Sequence, residues 1–168
     1  MKHLRTITMG EAWAEYRLES DGPVRKTQVP EIFIDAQPLA QLLGVERNLR
    51  FYECVVGNKI QAVAESAIRQ YTGDAPPLNQ FGSPRIVLYR CHCGADYCGV
   101  ISFSLLQHEN RVTWRAINYE SDAGIVAEQD VRASGLENYR AIDEISFDAD
   151  QYMAEFERYR QLRGLSST

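Results

Sequence analysis

The sequence predicts an α+β fold: a mainly antiparallel sheet of about five to six strands, one helix inserted at about 58–72 and another at the C-terminus, about 149–163. Three observations predict it. Runs 86–91, 100–106 and 112–119 are rich in β-branched, aromatic and aliphatic residues, and Gln107-His108-Glu109-Asn110 joins the last two with a hairpin composition. Ile60, Val63, Ala64, Ala67, Ile68 and Tyr71 recur at helical spacing. Residues 148–164 carry start and stop signals of a helix at both ends.

Before the central runs, residues 11–19 alternate crudely and predict a strand that Asp21-Gly22-Pro23 ends as a turn. Residues 29–34 predict a second strand. A short helix is expected at 38–43, with Pro38 at its first position and Gly44 closing it. Residues 49–56 predict another strand. Asn58 is the expected N-cap of the inserted helix, Gln61 stands three residues on, and Gly73 follows the last turn. Three prolines make 74–85 a loop.

In the run 112–119, Val112, Trp114 and Ala116 are expected on one face and Thr113 and Arg115 on the other, the pattern of a half-buried antiparallel strand. A short helix is expected at 125–131 and a further strand at 145–147. For the last helix, Asp148 is the expected N-cap, Gln151 completes a capping box, and Phe147 and Tyr152 form a hydrophobic staple. Arg158, Arg160 and Arg163 suit its negative end, and Gly164 closes it.

The chain has 168 residues, a length that fits one domain, 1–168. Apolar residues are 45% and charged residues 24%, which argues against disorder. Phosphate-tracking proteins usually show a basic face, and with a net charge of −5 no nucleic-acid partner is expected. No window approaches the 18 apolar residues that span a bilayer. The start Met-Lys-His-Leu-Arg lacks the apolar run of a signal peptide, and a cytoplasmic protein is expected. A protein partner fits these totals; the oligomeric state is not encoded in them.

Three of the four cysteines fall within eight residues, in Cys91-His92-Cys93-Gly94-Ala95-Asp96-Tyr97-Cys98-Gly99. Clustered cysteines in a reducing compartment point to metal or redox chemistry rather than to a disulfide framework. Zinc takes four tetrahedral ligands at about 2.3 Å from sulfur, so its sulfurs stand roughly 3.8 Å apart. On a regular strand Cys91 and Cys93 would share a face but lie too far apart. The turn must therefore tighten, and Gly94 and Gly99 permit that. Cys54 is the expected fourth ligand, if its strand lies beside the turn. His92 should point off the opposite side of the strand, and His108 stands at the far end of the next one. Two other readings remain. Cys91 and Cys93 pack in the sheet interior beside Tyr89, or Cys98 forms a reversible disulfide with one of them, with Arg90 and His92 as the local cations.

The spacing Cys91-x-Cys93-Gly94-x3-Cys98-x-Val100-Ile101 resembles the zinc-binding post-SET segment of lysine methyltransferases, which uses C-x-C-x4-C. The resemblance covers about ten residues, and what it implies is that such spacing binds zinc. It extends to no methyl transfer, because the motif lies mid-chain and the Asn-His pair of that enzyme's cofactor site is missing.

No G-x-S-x-G, Walker, dinucleotide-binding or H-E-x-x-H motif occurs. The acidic residues Asp143, Glu144, Asp148 and Asp150 fit a helix start better than a cation site. Tyr97 is expected exposed in the cysteine loop, where it would anchor a partner. The composite expectation is a non-enzymatic binding domain with a structural zinc hairpin held by Cys91, Cys93, Cys98 and Cys54. The alternatives are an enzyme using the turn as a catalytic zinc site or thiol nucleophile, and a thiol redox switch.

Overall fold

A computed structural model of the chain describes residues 3–16, 21–46 and 53–165. It shows the expected α+β architecture. Six strands lie in the order β1 (Leu4–Arg5), β10 (Ile142–Asp148), β8 (Arg111–Ser121), β7 (Val100–His108), β6 (Ile86–Arg90) and β5 (Glu53–Cys54). The two-residue strand β9 (Gly124–Ile125) pairs with the end of β8. A smaller sheet joins β2 (Ile7–Tyr16), β3 (Arg25–Ile34) and β4 (Gln37–Pro38). All pairings are antiparallel except β1 with β10. Among the described residues no helix is long and apolar enough to cross a membrane.

Hairpin β7–β8 is the spine of the larger sheet, pairing Val100 with Glu120 at one end and His108 with Arg111 at the other. Its loop is tighter than the composition predicts, with Glu109 at φ 54° in a two-residue turn. The alternation expected along β8 breaks at Ala116. Register shifts between Ser102 and Ser104, Ala116 takes φ 51°, and Ile117 rather than Ala116 is buried in the core. This is a β-bulge: one extra residue moves every later side chain to the other face. Arg85 supports the bulge by donating to the Ser102 carbonyl (2.7 Å) and to that of Ala116. Its guanidinium also stands 3.9 Å from the buried Glu120 carboxylate.

Four helices accompany the sheets: α1 (Leu39–Leu42), α2 (Gln61–Tyr71), α3 (Glu128–Ala133) and α4 (Ala149–Leu162). The helix expected at 38–43 is present as α1, but Pro38 is its N-cap and pairs with Phe33 in β4 rather than standing at the first helical position; the chain turns at Gly44, φ 70°. α2 begins two residues later than its sequence signals. Asn58 Oδ1 accepts from Ile60 N (2.8 Å) as a local turn before the helix, and Ile60 itself is the exposed N-cap. The strand expected at 49–56 is seen only as β5, followed by a 3-10 turn at Val55–Gly57; residues 49–52 lie outside the described residues. The helix expected at 125–131 starts instead at Glu128, because Ile125 pairs in β9.

Asp148 does cap α4, accepting from Gln151 N at 3.0 Å. Gln151 does not return the bond. Its amide instead spans the Ile7 backbone, donating to Ile7 O (2.7 Å) and accepting from Ile7 N (3.2 Å). One turn on, Glu155 accepts from Met9 N (2.5 Å) and Arg158 donates to Met9 O (2.9 Å). Side chains of α4 thus pair with the β2 backbone as a neighbouring strand would, which covers a sheet edge. Beneath, the core centres on Trp114, stacked on Phe103 (4.5 Å) and edge-on to Tyr71 and Phe147. Trp114 Nε1 donates to Tyr152 Oη (2.9 Å), which donates to Tyr71 O (2.8 Å).

Candidate metal centre

The cysteine turn connects β6 to β7 at the top of the larger sheet. β6 ends at Arg90, so Cys91 and Cys93 are not on a strand. Gly94 N donates to Cys91 O (2.8 Å), closing a turn over 91–94, and Gly94 takes φ 83°. A 3-10 turn at Asp96–Cys98 follows, and Gly99 N donates to Asp96 O (2.8 Å). The two tight turns bend the chain back on itself. As a result Cys91, Cys93 and Cys98 bring their sulfurs within 4.8 Å of one another. Cys93 and Cys98 stand 3.5 Å apart.

Asp96 anchors this loop. It is fully buried and gathers Gln80 N (2.7 Å) and Arg90 Nε (2.5 Å), while its own N–H donates to Gln80 Oε1 (2.7 Å). Gln80 Nε2 also donates to Gly94 O (2.8 Å), so one side chain of the 74–85 loop holds both halves of the cysteine turn. Phe81 packs edge-on against Tyr97 at 5.6 Å. Sequence reasoning gave neither Asp96 nor Gln80 a role. Both partners lie 16 residues apart, and no local signal links them.

The three thiols differ in surroundings. Cys91 is buried, whereas Cys93 and Cys98 are exposed, so interior packing does not account for the latter two. The Ala95 backbone N–H and hydrogen bonds from the Cys91 and Cys98 thiols draw the Cys93 thiol below its ordinary pKa. Cys98 is pushed up to about 11, first by its hydrogen bonds with the Cys93 and Cys91 thiols.

Cys54 is elsewhere. It stands opposite Tyr89 in the β5–β6 ladder, buried in the core, and is not one of the three residues whose ligand atoms converge. Burial and the nearby Glu31 carboxylate keep its thiol neutral. His92 does not point away across a strand, because residue 92 lies in the turn; its Nδ1 is 3.9 Å from Cys91 Sγ. His108 sits exposed at the far end of β7 and takes no part. Tyr97 is exposed as expected, 68% of its surface open beside the thiols.

Among the described residues this trio is the sole group of three or more Cys, His, Asp or Glu side chains with converging ligand atoms. Sulfurs at such separations can hold a soft or borderline metal ion. No family model matches the chain, and comparisons with curated proteins and with solved structures find no match.

Proposed function

We propose that the turn binds one zinc ion through Cys91, Cys93 and Cys98, with His92 as the fourth ligand, in a non-enzymatic domain that recognises a protein partner. The convergence of three sulfurs, two of them exposed, carries the reading. A cost of exposing thiols is tolerated where they have a ligand to hold. The 3.5 Å separation of Cys93 and Cys98 falls close to the roughly 3.8 Å expected of sulfurs on one zinc ion. His92 is exposed and its Nδ1 lies 3.9 Å from Cys91 Sγ, which supports it as the fourth ligand. Tyr97, at the tip of the same turn, supplies an aromatic contact for a partner.

Metal analysis of protein purified without a histidine tag tests this reading. About one zinc per chain is expected, with X-ray absorption reporting three sulfur ligands and one nitrogen. Four sulfurs would return Cys54 to the site, and three sulfurs with a light solvent ligand would favour an open, catalytic centre. Protein that takes up no zinc refutes the proposal.

The Cys93–Cys98 distance also supports a thiol switch. Two thiols would give a disulfide, with two electrons and two protons passing to an oxidant such as diamide. Rapid, dithiothreitol-reversible loss of two thiols from the metal-free protein, with a Cys93–Cys98 cross-linked peptide, is the outcome this second reading requires.

A further inference from the structure

A second concave site lies between the β2–β3 hairpin and the α1 segment, and the cysteines have no part in it. Its volume is about 460 Å³, enough for a small organic molecule. Alanines, Val29, Pro30 and Pro38 form apolar walls. Trp13 stands at the rim with 67% of its surface exposed, so its indole face is open to a ligand in the cavity. Among the described residues the polar lining is unbalanced: Glu15, Glu31 and Glu46 face one cation, Lys26, whose Nζ is already 3.8 Å from Glu15.

Glu31 is the distinctive group. It is buried, yet it lines the cavity. Its carboxylate accepts from Ile32 N (2.8 Å), from Ala40 N and from the Tyr89 hydroxyl. These donors fix its position but bring no positive charge, and among the described residues no Lys, Arg or His pairs with it. A buried carboxylate held in place without a cation is costly to maintain, and an arriving cation restores the balance.

We propose that this cavity binds a small organic amine, with its ammonium group against Glu31 and its carbon skeleton along Trp13 and the proline wall. Each feature favours an ammonium group: a desolvated carboxylate supplies the opposite charge and an indole face attracts the cation and its carbons. A neutral ligand would leave the Glu31 charge uncompensated, and an anion would meet three carboxylates. Binding selects the ionised carboxylate, so a proton leaves Glu31 when an amine arrives near neutral pH. The neighbouring titratable groups are Tyr89 and Cys54, which burial keeps protonated, and Glu15, Glu46 and Lys26 at the cavity wall.

Tryptophan fluorescence gives the readout, because Trp13 is exposed and Trp114 is sealed in the core. Phenethylamine and its neutral counterpart 2-phenylethanol are titrated into the full chain at pH 8. Saturable quenching by the amine is expected, with the alcohol at least tenfold weaker. Glu31→Gln keeps the shape of the group and should lose at least tenfold in amine affinity, while Glu15→Gln changes it little. Trp13→Ala removes the reporting indole, so its amine binding is followed by titration calorimetry beside the parent; at an exposed position it should weaken binding without affecting the fold, which keeps the test decisive if Glu31→Gln proves unstable. A response that is absent, or equal for amine and alcohol, overturns the proposal. Cys93→Ser, which disrupts only the metal reading, should leave amine binding unchanged.

Discussion

The hydroxyl of Tyr119 stands where a side chain at residue 99 would begin. A Cβ on Gly99 would lie 1.9 Å from Tyr119 Oη and 2.3 Å from its ring carbon Cζ. The same hydroxyl donates to Cys98 O (3.2 Å), so β8 braces the turn at the very residue that carries the third thiol. Gly99 also takes φ 94°, where other residues are strained.

Gly99→Ala should therefore disorganise the cysteine turn. Backbone strain of about 1–2 kcal/mol adds to the overlap with Tyr119, for a total of roughly 3 kcal/mol or more. Tyr119→Ala removes the three nearest clashing atoms, so the double variant should regain part of the loss while the strain persists. Urea unfolding of the four proteins checks this. Purely additive losses would show that the close approach is not what demands glycine.

Asp96 offers a second handle on the turn. Asp96→Ala leaves the Arg90 guanidinium, with 15% of its side chain exposed, and the Gln80 N–H without their acceptor. A loss of roughly 3 kcal/mol is expected. If the three thiols hold zinc, the loosened turn should also weaken it by about 10–100-fold, as removal of an outer-shell partner typically does. Competition with a chelating dye measures the metal effect separately from unfolding. Unchanged zinc affinity in a destabilised protein would mean that the sulfurs converge without this anchor.

Much of this was legible in the chain. The N-cap at Asp148 and the staple of Phe147 with Tyr152 are local features, and both form as read. The cysteine cluster was legible because three thiols so close in sequence cannot scatter far. What escaped depends on distant partners. Gln151 leaves its capping box for Ile7, 144 residues away. The bulge at Ala116 answers to Arg85, 31 residues away, and shifts the face of β8. Cys54 looked available as a ligand because strand order can bring β5 beside β6. The register then sets it against Tyr89 rather than against the turn. Glu31 drew no reading from the sequence, because simple alternation buries one of two neighbours, yet β3 has buried side chains at both 31 and 32.

That placement makes Cys54→Ala informative. The substitution empties a small volume of core, with an expected loss of about 1 kcal/mol. The zinc content should stay at the parent's value, because the converging sulfurs belong to Cys91, Cys93 and Cys98. Cys93→Ser should do the reverse, abolishing stoichiometric zinc at an exposed position with little change in the metal-free protein's stability. Metal analysis and unfolding of both variants separate the two roles. Loss of zinc from Cys54→Ala would place it among the ligands after all.

Glu31 should leave a signature on the pH dependence of stability. Burial raises its carboxyl from the ordinary 4.5 to about 7, against the opposing pull of the Tyr89 hydroxyl and the Ile32 and Ala40 N–H groups. Between those two values the unfolded chain has released the proton and the folded chain has kept it. The folded state therefore gains from this group at low pH, and the gain is lost as pH rises from about 4.5 through 7. The change amounts to roughly 3 kcal/mol. Asp35 acts in the opposite direction, its carboxyl lowered first by the Thr6 N–H and further by Arg5, so its contribution is lost only under more acid conditions. Glu31→Gln removes the first effect and not the second. Measured by urea unfolding, the variant should gain on the parent by that amount between pH 4.5 and pH 8, with the gain complete just above neutrality. Parallel stability profiles for the two proteins would show that Glu31 is ionised in the fold throughout.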